Sequence, residues 1–306
     1  MIQIPLTAIA IAFTPDYFVP AATMLRSLLD ASTGDFEVIC LVTEEIPERM
    51  QEKLLRLGAG RLRFRYLPLQ GRLGDIYTDP RYTEAASFRL LLPELLPAYD
   101  RIVYIDCDVI VRQDVGKLFR ETDLAENWLG VVFEAPIEQQ AMRFRALGCD
   151  PMRYFNSGFL LMNLRQMREE QVSARLLEAC RVPYLEFPDQ DALNQVCQGR
   201  VLPLSPLYNS IRTFFIPKYK PDFIAQYGEA MWDAVQQHGT IHYTGGKPWR
   251  IFTVQFAAWW RTYESLPTEI QEEWTPDARI RRFWKLYRTP LGRLIDGARR
   301  LKQRWT

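Results

Sequence analysis

Apolar runs of strand length alternate with amphipathic segments from the start of the chain. IAIAF (9–13) precedes a helical pattern in AATMLRSLLDAS, FEVICLVT precedes another in PERMQEKLLRLG, and LRFRYLPL reads as a third strand. ASFRLLLPELL then reads as a helix, RIVYID as a strand, VGKLFR as a short helix, and LGVVFE and GFLLMNL as strands before the helical MREEQVSARLLEAC. Strands that alternate with helices predict an α/β fold, a mostly parallel sheet covered on both faces. In such sheets ligands bind where the strands end, on the carboxyl side.

Composition adds bounds. The chain has 306 residues, 48% of them hydrophobic, enough for one large domain or for a domain with an appendage. No uncharged apolar stretch of about 18 residues occurs, and MIQIPLTAIAIAF lacks the basic start and small-residue cleavage site of a signal peptide. Neither secretion nor a membrane span is expected. Cys40, Cys107, Cys149, Cys180 and Cys197 make an odd number without a CxxC pair, which predicts buried free thiols and a reducing cytoplasm. The net charge of +1 is segregated: from Asp277 onward ten Lys or Arg face two acids, so this tail carries +8 and the remainder −7.

Chemistry enters at RIVYIDCDVIV (101–111), where Asp106 and Asp108 interrupt an apolar run. An unpaired buried carboxylate costs several kcal/mol. Two residues apart on an extended segment, both acids point to one side, and at about 4 Å they repel by roughly 4 kcal/mol at an effective dielectric near 20. A hard divalent cation such as Mg²⁺ or Mn²⁺ removes that repulsion; a solvated turn is the alternative for so short a motif. Neither GxGxxG nor GxxxxGK[ST] is present, so glycine-cradled phosphates are not expected. Only two histidines occur, and His242 lies in TIHYTGGKPW (240–249), beside glycines that admit a ligand and a lysine that offers a point charge. A purely structural histidine remains the alternative there. Gly239 separates His238 from any helical alignment with His242.

Five segments in order, SFRLLLPELLP, YIDCDVIV, YFNSGFLLMNL, FPDQDALNQV and HYTGGKPW, give residues from about 8 to 265 a pattern that resembles the family 8 glycosyltransferases, retaining enzymes of the GT-A type with a Rossmann-like sheet, among them bacterial lipopolysaccharide galactosyl- and glucosyltransferases. The resemblance implies that Asp106, Asp108 and His242 bind Mn²⁺, or Mg²⁺, together with the diphosphate of a UDP-sugar. It implies that Lys247 and the amide of Gly245 hold the departing phosphate, with Gly246 open as the alternative glycine. Arg89 would touch the donor's phosphate or sugar, and Cys107 lies within the motif. Asn156, Ser157, Asp189 and Gln190 would line the sugar pocket, with Asp191 as a further candidate. Gln190 stands where a double-displacement nucleophile would be expected, yet a neutral amide is a poor nucleophile, so departure and attack on one face is the implied route. Where the family usually shows an acidic pair near uracil, this chain reads AFTPDYF, leaving Thr14 or Asp16 as the nucleoside contact.

The tail RIRRFWKLYRTPLGRLIDGARRLKQRWT interleaves basic residues with Phe283, Trp284, Leu286, Tyr287, Leu291, Leu294, Ile295, Leu301 and Trp305. Such a segment suits an anionic membrane surface, at about 1 kcal/mol per basic residue, or a solvated helix packed on the domain; the acidic remainder argues against nucleic acid. Two units follow, 1–265 catalytic and 266–306 membrane-associating. The whole predicts a hexosyltransferase at the inner face of the cytoplasmic membrane, moving glucose or galactose from UDP to a glycan or lipid-linked acceptor. A metal-dependent phosphohydrolase or nucleotidyltransferase and a non-catalytic nucleotide-sugar- or membrane-binding module are the rival readings.

Overall fold

The computed structural model describes residues 6–74, 76, 83–183, 185–292, 294, 295 and 297. Ten strands are described: β1 Thr7–Phe13, β2 Phe36–Val42, β3 Leu62–Pro68, β4 Ile102–Ile105, β5 Val109–Ile110, β6 Leu129–Val131, β7 Phe159–Met162, β8 Val201–Pro203, β9 Ser210–Ile211 and β10 Ile241–His242. Seven form one sheet in the order β3-β2-β1-β4-β7-β6-β8, and three form a small sheet, β5-β10-β9. In the large sheet β7 alone runs antiparallel to its neighbours β4 and β6.

Side-chain alternation divides the core into two layers. Along β1, Ile9, Ile11 and Phe13 join the layer under the helices Phe18–Ala31 and Phe256–Glu264, while Ala8 and Ala10 face the layer under Leu164–Glu169, Val172–Ala179 and Pro188–Cys197. Burial on both faces is why the central strands read as continuous apolar runs.

The reversal of β7 positions the site. Ile105 of β4 pairs with Phe159 of β7, and the Asp106 amide donates to the Gly158 carbonyl at 2.8 Å. The residues entering β7, Asn156 to Gly158, therefore stand at the same edge as those leaving β4. The small sheet closes this edge from the other side, because β5 follows the DxD motif directly and pairs His242 with Val109.

Several elements differ from the sequence pattern. The segment expected as a helix over 86–96 is a 3₁₀ helix, Glu84–Leu91, followed by one α turn, Leu92–Leu95, that carries Pro93. The pattern expected to be one helix over 167–180 breaks at Gln171, whose φ is +53°, between Leu164–Glu169 and Val172–Ala179. Asp106 and Asp108 are not consecutive same-side residues of one strand: Cys107 and Asp108 form a turn between β4 and β5, and the turn brings the carboxylates together.

The C-terminal helix Ala278–Tyr287 packs on the domain. Trp284 is 3% exposed and stacks on Trp260 at 5.9 Å, and Phe283 and Tyr287 meet Phe252 and Phe256 edge-on or tilted. Ion pairs from Arg49, Lys53 and Arg56 to Glu269 and Glu273 tie the preceding segment to the helix Glu48–Leu57. Three aromatic residues read as membrane-facing thus serve the fold; Leu301 and Trp305 lie outside the described residues.

Candidate active site

A cleft of about 1050 Å³ opens at the edge where β1 and β4 end and β7 begins. Three side chains converge in it: the ligand atoms of Asp106, Asp108 and His242 all lie within 4.8 Å of one another. His242 Nε2 is 3.3 Å from Asp108 Oδ1 and 3.6 Å from Asp106 Oδ2.

The orientation of that imidazole follows from a chain of fixed donors. The Gly158 amide donates to Asn156 Oδ1 at 3.0 Å, which makes this atom an acceptor; Asn209 Nδ2 donates to the same atom at 3.0 Å. Asn209 Oδ1 is thereby turned to His242 Nδ1 at 2.9 Å, so Nδ1 carries a hydrogen. Nε2 then points at the two carboxylates, the position from which an imidazole nitrogen would join them in holding a cation. Gly158 keeps the corner open, since a Cβ there would lie 2.2 Å from His242 Cε1 and 2.5 Å from Asp106 Oδ2. Two acids, one oriented imidazole and the space before them fit a divalent metal.

Two cations flank the acids, Arg89 buried and Lys247 half-buried. Arg89, 4% exposed, donates through Nη2 to Asp106 Oδ1 at 2.9 Å and through Nη1 to the Ser157 carbonyl at 2.5 Å, and its Nε lies 3.2 Å from Asp189 Oδ2. Burial disfavours its charge, but Asp106, Tyr104 and Asp189 outweigh that and hold its pKa above the ordinary value. Lys247 bonds Asp108 Oδ2 and the Tyr243 carbonyl. Burial works against the Asp108 carboxylate too, yet Lys247 and His242 hold it well below the usual carboxylate range. Pro248 and Trp249 are anchored by packing: Trp249 is buried against Tyr17 and Trp259, and Trp260 Nε1 donates to the Pro248 carbonyl at 3.0 Å.

The inner wall is a hydrogen-bond network centred on Gln190. Gln190 Oε1 accepts from Asn156 Nδ2 at 2.8 Å and from the Ser157 amide at 3.1 Å, while Nε2 donates to Tyr154 Oη at 3.2 Å and Glu134 Oε1 at 3.3 Å. Asp189 accepts from Ser157 Oγ at 3.1 Å, and burial pushes its pKa up against the pull of Arg89. Both residues occupy the first turn of Pro188–Cys197.

A family model described as "Glycosyl transferase family 8" matches residues 8–252. The chain belongs to this family. Among curated proteins it is similar to general stress protein A of Bacillus subtilis, 26% identical over 67% of this chain and 72% of that protein. Another is the Escherichia coli lipopolysaccharide glucosyltransferase WaaO, 29% identical over 47% of this chain and 45% of that protein. The chain spans about half the length of the E. coli lipopolysaccharide glucosyltransferases it matches. Among solved structures, the galactosyltransferase LgtC in complex with donor and acceptor sugar analogues is 25% identical with a TM-score of 0.70, covering 88% of this chain and 100% of that one. The mostly parallel sheet flanked by helices is the GT-A fold.

Within this family 8 fold, Thr14, Arg89, Asp106, Cys107, Asp108, Asn156, Ser157, Asp189, Gln190, His242, Gly245 and Lys247 all line the cleft. Gly246 lines it as well. Asp16 does not: it is exposed, one turn away in the 3₁₀ segment Pro15–Tyr17, and the neighbouring Tyr17 faces the cleft in its place. Asp191 is fully buried in an ion pair with Arg143 and does not line the cleft. Sequence reasoning missed Glu134, Asn209 and Gly158. Glu134 carries the same signal as Asp106, an acid closing an apolar run, whereas Asn209 stands in a loop, PLYNSIR, with no local pattern to mark it.

Proposed function

We propose that the protein is a metal-dependent retaining glycosyltransferase that moves a hexose, glucose or galactose, from a UDP-sugar to a hydroxyl of a glycan or glycolipid. The observation that carries this reading is the oriented Asp106, Asp108 and His242 cluster with Lys247 against it, in a family 8 chain.

Asp106, Asp108 and His242 would hold Mn²⁺ or Mg²⁺. When bound, the cation supplies positive charge facing the donor's diphosphate. Lys247, with the amide of Gly245 or Gly246, would stabilise negative charge that develops on the leaving phosphate. Arg89 fixes Asp106 and Asp189 in place and would face the donor. Thr14 and Tyr17 would contact the nucleoside, a role for which the exposed Asp16 is out of position. Asn156, Ser157 and Asp189 would bind hexose hydroxyls. Both acceptor sites of the Gln190 carbonyl oxygen are taken by protein donors. That saturation disfavours Gln190 as a nucleophile and favours departure and attack on one face of the sugar.

Residues 266–306 would bring the enzyme to the inner face of the cytoplasmic membrane and to a lipid-linked acceptor. No described helix is long and apolar enough to cross a membrane. Leu286, Leu291 and Leu294 are 46%, 51% and 69% exposed in a segment whose sequence is rich in basic residues, which suits surface binding.

The test is UDP release from UDP-glucose and UDP-galactose with Mn²⁺, in wild type and Asp108→Asn. The reading expects release that depends on metal and falls about 10³-fold in the variant, the scale of a lost electrostatic stabiliser. Equal release would remove the metal assignment.

A further inference from the structure

Glu134 is a buried acid in the cleft that the proposed reaction leaves without a role. It follows β6, and its position is fixed by backbone pairing: its amide donates to the Tyr154 carbonyl at 2.7 Å, and Phe133 bridges Phe155. The residue is 9% exposed and lines the cleft. Oε1 accepts the single long bond from Gln190 Nε2 at 3.3 Å. Among the described residues Oε2 has no hydrogen-bond partner. A carboxylate has roughly four acceptor positions, so Oε2 keeps its acceptor capacity open to the cleft.

The surroundings restrict what Oε2 can meet. Gln190 has no free hydrogen or lone pair left, because the Ser157 amide and Asn156 occupy its oxygen while Tyr154 and Glu134 itself occupy its nitrogen. Tyr154 donates to Asp191, and Arg143 is engaged with Asp191, Glu186 and Tyr154. In this corner of the wall, Glu134 Oε2 is an acceptor still available among the described residues. Because it adjoins the Asn156, Ser157, Asp189 and Gln190 network, a hydroxyl group presented there belongs to the donor's hexose.

We propose that Glu134 is a substrate-contacting specificity residue that accepts a hydrogen bond from one hydroxyl of the transferred hexose, while Gln190 acts as the scaffold that holds it. This rests on the UDP-hexose reading above. Burial pushes the Glu134 carboxyl up to about 7, opposed by Arg143, the Gln190 bond and His242 and supported by Asp191. Tyr154 and Tyr227 are the remaining titratable groups against it. Above pH 7 the group is an acceptor. Below it, the protonated form can also donate.

The experiment measures binding of UDP-glucose, UDP-galactose and their 2-, 3-, 4- and 6-deoxyfluoro forms to the full chain with saturating Mn²⁺. Fluorine cannot donate a hydrogen bond, so at pH 8 wild type should bind one deoxyfluoro position at least about 30-fold more weakly than the parent sugar. Glu134→Gln keeps an acceptor for Gln190 Nε2 and turns the free end into a donor, so that one ratio should fall within about threefold while the other positions keep theirs. In wild type the same ratio should shrink as pH drops from 8 to 6. Glu134→Ala should level the ratio at every pH. Ratios unchanged in both variants, or a wild-type ratio independent of pH, overturn the assignment. Failure of wild type to bind any UDP-hexose overturns the reading on which it rests, and the inference with it.

Discussion

The cleft edge and the C-terminal helix are both rich in charged and aromatic residues, yet they use them in opposite ways. At the cleft edge, buried charge is concentrated: Arg89, Asp108, Asp189 and His242 are each less than a tenth exposed and are linked by short polar contacts. On the helix Ala278–Tyr287 the charges stay in solvent and the aromatics turn inward, Trp284 buried against Trp260 and Phe283 half-buried against Phe256. A buried polar cluster fixes geometry at a cost in stability, whereas aromatic burial contributes stability without placing any reacting group. Substitutions in the two regions should therefore separate catalysis from folding.

After Asp108→Asn, the largest effect on turnover should come from Gly158→Ala. Its Cβ has no room beside His242 and Asp106, and an ångström of displacement at the reacting centre costs about 10²-fold. Measured kcat/KM should fall at least that far while the thermal transition moves by only a few degrees; a variant with normal kcat/KM would mean that the corner is loose. Asn209→Ala comes next, removing the partner that orients His242 Nδ1. Loss of such an outer partner typically weakens metal affinity by about 10–100-fold, which a Mn²⁺ titration of activity would register as a raised midpoint with turnover restored at high metal.

Trp284→Ala should reverse the balance. Truncating a buried tryptophan costs about 3–5 kcal/mol of stability, read by denaturant unfolding, while kcat/KM of the folded fraction stays within about threefold. A comparable loss of kcat/KM would tie the helix to the cleft. The smallest effect belongs to Leu291→Ser with Leu294→Ser, both on exposed positions. Neither stability nor turnover of soluble substrates should change, but binding to anionic vesicles should drop about tenfold or more, since each buried leucine is worth about 1.5–3 kcal/mol. Unchanged vesicle binding would leave these leucines without a membrane role.

The same contrast explains what the sequence made legible. Strand order and the location of the DxD motif follow from apolar periodicity and the rule for strand ends, so Asp106 was readable from RIVYID alone. Its partnership with His242 came only through the family resemblance and not from local pattern, because a turn and a second sheet join the two residues across 136 positions of chain. The amide network was equally hidden: Asn156, Gln190 and Asn209 are ordinary polar residues until backbone amides of Ser157 and Gly158 fix which atom each presents. Glu134 announced itself in LGVVFE by the same sign as Asp106 but without a second acid nearby to draw attention to it. In the tail, composition alone suited a membrane surface, while the aromatic packing that claims Phe283, Trp284 and Tyr287 depends on Phe252, Phe256 and Trp260, a contact between segments that no local pattern records.

The central claim is that two acids and an imidazole hold a divalent cation against a nucleoside diphosphate. Calorimetric titration of UDP into the full chain, with Mn²⁺ and with chelator, in wild type and His242→Ala, tests it most directly. The account predicts that Mn²⁺ tightens UDP binding by at least about 100-fold in wild type, roughly 2.7 kcal/mol, and that most of this gain disappears in the variant. UDP affinity that is the same with and without metal, or a gain that survives in His242→Ala, would contradict it.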